Sequence, residues 1–298
     1  MGASRIWRHS VKVLVIGAAG EYAGHVVPEL KQRGVTVRAL VRDAGKVDSA
    51  HRRGADEVVL GDLRNPANVR AAAAGMDGVF HINPAFAPDE PELGVAVVEA
   101  AEAAGVRKFV FSGVIHPALT KLVNHRAKLA VEEAMYESGM AFTSLQPAMF
   151  MQTLEGGWKA VLERGEIGLP YSKRAKVCYV DYRDVAEVAA RALTGEELSY
   201  GTFELCAPGV VDRQDVASIM SEALGRTIKA VAPPFEEWAR RSGIVDGPTK
   251  DGLKRMFAHY DAHGFPGGNS LVLRAILGRE PRSLRQYVQE LASRPPTE

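Results

Sequence analysis

Apolar positions along this chain follow two rhythms. Residues 11–16 are an almost unbroken apolar run closed by Gly17, the pattern of a strand buried on both faces. Residues 22–33 then place Val26, Val27 and Leu30 at helical spacing until Gly34 ends the run. The two rhythms alternate. Further strands are predicted at 35–41, 57–60, 78–82, 108–111 and 141–145, with helices between them such as 69–74, 93–104 and 122–138. Strands separated by helices pair in parallel through right-handed crossovers, so the pattern predicts an α/β fold: a doubly wound parallel sheet with six strands by residue 145.

Past Pro147 the alternation weakens. Short strand-like pieces at 176–180, 202–206 and 228–231 are interleaved with helical stretches at 184–193, 213–224 and 234–241. They read as a smaller α+β substrate subdomain over one end of the sheet. The expected division is a tail at 1–10, a nucleotide-binding domain at 11–150 and the C-terminal subdomain at 151–298, with chain segments interleaved. Residues 243–268, rich in Gly, His and Asp, read as the most mobile segment. Composition narrows the function classes. Lys plus Arg is 37 against 36 for Asp plus Glu, a net charge of +1, so no long-range field favours nucleic acid or an anionic membrane. No stretch approaches the ~20 apolar residues of a membrane span, and the cytoplasm is the expected location. Two cysteines, Cys178 and Cys206, are too few for a disulfide framework and are expected to be reduced and buried.

The sharpest chemical signal is Gly17-Ala18-Ala19-Gly20-Glu21-Tyr22-Ala23-Gly24 between the first strand and helix. Gly17 permits a tight turn, Gly20 lets the backbone approach a pyrophosphate, and Ala23 with Gly24 allows close helix-to-strand packing; this is a Rossmann dinucleotide turn. Gly17, Ala19, Gly20, Glu21, Tyr22 and Ala23 are therefore candidate cofactor contacts. Arg42 ends the second strand, with Lys46 four residues on. A guanidinium there clamps a 2'-phosphate where an acid would repel it, which points to NADP, as NADPH, rather than NAD. The alternative for both cations is a solvated turn, and Asp43 beside Arg42 leaves it open. Asp62 and Leu63 follow the third strand, facing either the adenine or, for Asp62, the next helix as its N-cap. Asn83, Pro84 and Phe86 follow the fourth strand, at the same edge. Met149, Phe150, Met151 and Trp158 either line a substrate pocket, together with Phe86, or fill core.

In this order the glycine turn, Ala39-Leu40-Val41-Arg42-Asp43, Gly61-Asp62-Leu63-Arg64-Asn65-Pro66, Phe109-Val110-Phe111-Ser112-Gly113-Val114 and Tyr179-Val180-Asp181-Tyr182-Arg183-Asp184-Val185-Ala186 resemble the NmrA-like atypical short-chain dehydrogenases. The likeness runs over about residues 11–292, including a closing segment at 277–284. It implies a Rossmann domain, a small substrate subdomain and NADP, and it covers both reductases and cofactor-sensing regulators. Typical short-chain dehydrogenases carry Tyr-x-x-x-Lys in the fifth helix. Here Lys128 matches the lysine, but Asn124 stands where the tyrosine would be, so the usual proton donor is absent. Lys128 can bind the nicotinamide ribose and stabilise developing oxyanion charge. Ser112, at the end of the fifth strand, falls near the family's catalytic serine. His125 lies one turn before Lys128, and His116 is near the same edge; either is a candidate proton source, with a surface histidine as the alternative.

No metal site is suggested, because His259 and His263 lack the Glu of H-E-x-x-H, and no G-x-S-x-G elbow occurs. The expectation is an NADPH-dependent oxidoreductase that passes hydride to a small apolar carbonyl, quinone or enone. The alternatives are a non-catalytic NADP(H)-binding redox sensor acting through a protein partner, and an epimerase or dehydratase that uses bound cofactor transiently.

Overall fold

The computed structural model describes residues 10–294; the expected N-terminal tail, Ser10 apart, lies outside them. The predicted strands form as β1 (Lys12–Ile16), β2 (Thr36–Val41), β3 (Glu57–Leu60), β4 (Gly78–His81), β5 (Lys108–Ser112) and β6 (Ala141–Pro147). The intervening helices are α1 (Val26–Gln32), α2 (Val47–Arg52), α3 (Pro66–Ala73), α4 (Glu90–Ala103) and α5 (Val123–Glu137). Adjacent side chains of β1 serve opposite faces of the sheet, as the period of a strand requires. Val13 and Val15 belong to the core that includes α1, and Leu14 and Ile16 to the core under α3, α4 and α5.

Beyond residue 147 the chain adds β7 (Met149–Phe150), α6 (Glu155–Arg164), β8 (Glu166–Gly168), β9 (Val177–Val180), α7 (Tyr182–Thr194) and β10 (Gly201–Leu205). It continues with β11 (Val210–Val211), α8 (Arg213–Leu224), β12 (Lys229–Val231), α9 (Phe235–Arg241), α10 (Pro248–His263), α11 (Ser270–Leu277) and α12 (Leu284–Ser293). The main sheet has seven strands in the order β10-β6-β5-β4-β1-β2-β3, and every pair in it is parallel. The strand expected at 202–206 in the small subdomain is therefore part of the large sheet, with Gly201 opposite Thr143. The reason lies in α7, which buries Val185, Ala186, Val188, Ala189, Ala192 and Leu193. That face packs on the sheet beside α1, making β6-α7-β10 one more parallel crossover. β7, β9 and β11 form a small separate sheet, and β8 pairs with β12.

The segment expected to be mobile is instead largely α10. Its glycine and histidines are poor helix formers, but its Phe257 and Tyr260 are buried against the Tyr171 ring, at centroid distances of 5.6 and 5.8 Å, and packing overrides propensity. The Tyr179–Ala186 motif meets the closing segment directly. Asp184, fully buried, accepts from Arg279 Nη2 at 2.8 Å and from the Arg282 backbone N–H at 2.7 Å.

α4 and α5 approach closely over Gly94. A Cβ placed there would lie 2.2 Å from Val131 Cγ2 and 2.6 Å from Asn83 Nδ2. Gly94→Ala gains about 1 kcal/mol of helix propensity but overpacks rigid neighbours at a cost of roughly 1–3 kcal/mol. Urea unfolding is expected to show a net loss of stability, and a more stable variant would contradict this packing.

Candidate functional site

The carboxyl ends of β1, β2, β3, β4 and β5 open onto one cleft of about 910 Å³, at the upper end of ligand-pocket sizes. Gly17 leaves β1 with φ +76°, its N–H donates to Leu40 C=O at 3.2 Å, and Gly20 N–H closes the turn onto Gly17 C=O at 2.8 Å. The helix then begins as a short tight turn at Ala23–His25, ahead of α1, and no side chain caps it. Tyr22 packs on Phe150 and on Tyr182, at 4.6 and 5.2 Å between centroids, and burial pushes its phenol up to about 12.

Past β2, Asp43 accepts from Gly45 N–H at 2.8 Å and caps the short turn containing Lys46. Arg42 and Lys46 line the cleft exposed, and neither makes a side-chain hydrogen bond or ion pair among the described residues. Past β3, the N-cap of α3 is Asn65, whose Oδ1 accepts from Ala67 N–H at 3.1 Å. That removes the capping alternative for Asp62, which lines the cleft with Leu63. Beside them Arg64 holds Asp89 through two bonds, of 2.8 and 2.9 Å.

At the far end stand Asn83, Pro84, Gly113, Val114, Asn124 and Lys128. Lys128 is 5 % exposed and donates to Glu90 Oε1, while Glu90 Oε2 accepts from Phe86 N–H at 2.8 Å. Burial pulls the lysine down from its ordinary value and pushes the glutamate up, and each partner's charge opposes the shift of the other. The Asn124 Oδ1 is buried without a partner among the described residues.

The structure thus brings Gly17, Ala19, Gly20, Glu21, Tyr22, Ala23, Arg42, Lys46, Asp62, Leu63, Asn83, Pro84 and Lys128 to one cleft. It does not bring Ser112, His116 or His125 there. Ser112 is fully buried and accepts from Tyr182 OH at 3.0 Å, behind the cleft-lining Gly113. His125 points away from the cleft, its Nδ1–H donating to His116 C=O at 3.0 Å and its ring edge-on to Phe265 at 5.5 Å. Burial pushes it down to about 4, so near neutral pH it is a neutral imidazole whose one N–H is committed to that carbonyl. His116, with φ +55°, sits over Gly267 and 3.6 Å from Glu204. Of the residues expected around a substrate pocket, only Phe150 lines the cleft. Phe86, with φ +63°, turns its ring onto Gly252 of α10; Met149 and Trp158 pack on the core, and Met151 is inside it. Glu90, Asn124 and Arg64 were not among the expected site residues. The spacing of Asn124, four before Lys128, is the one sequence signal that points to any of them.

Seven parallel strands, helices on both faces and a glycine turn feeding a cleft at the strand ends define a Rossmann-type α/β protein. The chain belongs to the NmrA-like family, which it matches over residues 9–290. It is similar to the NAD(P)H azoreductase of Xenophilus azovorans, 36 % identical over 94 % of this chain and 98 % of the relative. The fold is close to that of Citrobacter sp. triphenylmethane reductase solved with NADP(H), with a TM-score of 0.81, 24 % identity, and coverage of 93 % of this chain and 99 % of that one. It is also close to NmrA, a negative transcriptional regulator solved with NADP, with a TM-score of 0.75, 17 % identity and 95 % coverage of each chain. No helix among the described residues is long and apolar enough to cross a membrane, and no group of three His, Cys, Asp or Glu among them is placed to hold a metal ion.

Proposed function

We propose that the chain is an NADPH-dependent oxidoreductase that reduces a small apolar carbonyl, quinone or enone. The observation that carries this reading is the pair of cations without a partner among the described residues, Arg42 and Lys46, at one end of a cleft whose other end holds Lys128. The residues present fit a dinucleotide: a turn with no side chain at Gly17 or Gly20, a 2'-phosphate site of two exposed cations, and an apolar wall of Tyr22, Ile82, Val114 and Phe150. NADPH held there supplies the hydride.

The chain's own groups then have defined tasks. Arg42 and Lys46 clamp the phosphate. Lys128 donates one N–H to Glu90 and keeps two for ribose hydroxyls and for negative charge developing on the acceptor. The apolar wall excludes water and strengthens that interaction. Asn124 orients but cannot protonate, so the product's proton comes from solvent or from Lys128. Support for an apolar, aromatic acceptor comes from the azoreductase and triphenylmethane reductase among the similar proteins. Asn124 in the tyrosine's place, together with the likeness to the regulator NmrA, favours as a second reading a redox sensor that acts through a protein partner.

NADPH oxidation with a panel of quinones, enones, azo dyes and aldehydes separates the two. Turnover supports the reductase, and tight NADPH binding without turnover on any acceptor supports the sensor. Cofactor choice is tested by Arg42→Ala. One charge-assisted phosphate contact contributes about 1.5–3 kcal/mol, so NADPH affinity is expected to fall roughly ten- to hundredfold while NADH affinity holds. Equal titration curves for the two cofactors in the unmodified protein would reject the assignment.

A further inference from the structure

Glu90 opens α4 at 2 % exposure, bonded to the cleft-lining Lys128, and the reductase reading gives it no task of its own. Each of its oxygens is committed. Oε1 takes Lys128 Nζ, Oε2 takes Phe86 N–H at 2.8 Å, and the backbone C=O takes Asn83 Nδ2 at 2.9 Å. Asn83 Oδ1 accepts from His81 Nε2 at 2.5 Å, and His81 Nδ1 is buried and unpaired among the described residues. The carboxylate therefore ties the lysine of α5 to the loop between β4 and α4, which lines the cleft.

Stability does not account for such a pair, because two buried charges gain little over well-packed apolar side chains. Burial alone drives an ammonium toward the neutral amine. A neutral amine carries no charge to set against a developing oxyanion. Around Lys128 the titratable groups are His81 on β4, Glu90 on α4 and His125 on α5 itself. Both imidazoles are held neutral by burial, so Glu90 is the one anion facing the lysine among the described residues. Its rotamer is fixed in turn by the Phe86 backbone.

We propose that Glu90 is a positioning residue of the reduction: it keeps Lys128 an ammonium inside a dry wall and fixes where that ammonium meets the cleft. The proposal rests on the reductase reading, but it is tested first without turnover. In protein carrying [13C]lysine, with Lys128→Met to assign the signal, the Lys128 side chain is titrated by NMR in the absence of cofactor. Wild-type Lys128 is expected to be an ammonium at neutral pH, held so against burial by the Glu90 carboxylate. In Glu90→Gln its midpoint is expected to fall by at least about one pH unit, with Glu90→Asp in between. In turnover, the alkaline limb of the kcat profile should move by the same amount while KM for NADPH changes by less than about threefold. A Glu90→Gln protein with the wild-type lysine titration and kcat profile overturns the proposal. If Glu90→Gln does not fold, the wild-type titration decides, and a neutral Lys128 at pH 8 overturns it. Failure of the reductase reading shows separately, as absent NADPH oxidation by the wild type, and the lysine titration still decides whether Glu90 holds the ammonium.

Discussion

Lys128→Ala is expected to destabilise the protein by about 3–5 kcal/mol near neutral pH, because it strands the Glu90 carboxylate in the wall with no cation. At roughly 2–4 °C per kcal/mol for a chain of this size, that is a melting point lower by on the order of 10 °C. The loss has a pH signature. Burial already raises Glu90 above its ordinary value, and removing the lysine raises it further. An acid whose folded pKa lies above its unfolded value of about 4.3 favours folding below that value, and this contribution is lost as pH rises through the folded pKa. The gap between wild type and variant is therefore expected to be small near pH 4 and widest above pH 7. Adding Glu90→Gln to Lys128→Ala removes the stranded charge and should recover much of the stability. Melting curves across pH 4–8 check both points, and a Lys128→Ala protein as stable as wild type at pH 7.5 would show that the pair is not buried. For the same reason low activity in Lys128→Ala counts against the lysine's chemistry only after folding has been confirmed.

The second large effect belongs to the glycine turn. A Cβ at Gly20 would lie 3.0 Å from the Gly17 carbonyl, the acceptor of the 2.8 Å bond that closes the turn. Gly20→Val must push that carbonyl aside, and its methyls take space in the cleft. NADPH affinity is expected to fall by roughly a hundredfold or more, equivalent to about 2.7 kcal/mol. β1 and α1 are held by their own cores, so stability should change by no more than ~1 kcal/mol. Calorimetric titration with NADPH beside a thermal melt reads both quantities. Undiminished affinity would place the phosphates elsewhere.

What could be read from the chain was what depends on short spacing. The six early strands, the glycine turn and the cation at the end of β2 are each written within a few residues, and each falls where the spacing put it. Most of the departures are long-range, and two are local. Glu90 sits in Asp-Glu-Pro-Glu, which reads as an ordinary acidic helix start; that it turns inward to a lysine 38 positions on is decided by α4 packing on α5. His125 was placed beside Lys128 by helical spacing. On an α-helix, however, three residues back lies about 60° to one side and four back about 40° to the other, and the cleft is on Asn124's side. Ser112 follows the alternation of β5 into the core, and Gly113 and Val114 face the cleft in its place. β10 and α10 depend on burial against distant partners, which local propensity does not record.

The two non-glycine residues with left-handed backbone at the ends of β4 and β5, Phe86 and His116, each seat a ring where a glycine of the C-terminal segment leaves room. A Cβ at Gly252 would fall 2.3 Å from the Phe86 ring, and one at Gly267 2.0 Å from the His116 ring. Strain of roughly 1–3 kcal/mol at each residue is borne to aim these rings. α10 and the loop that follows it are thus each pegged to the nucleotide fold at one point by shape alone, and both sockets exist only because a side chain is missing. At 252 and at 267 the first methyl group fills the socket and displaces the ring seated there.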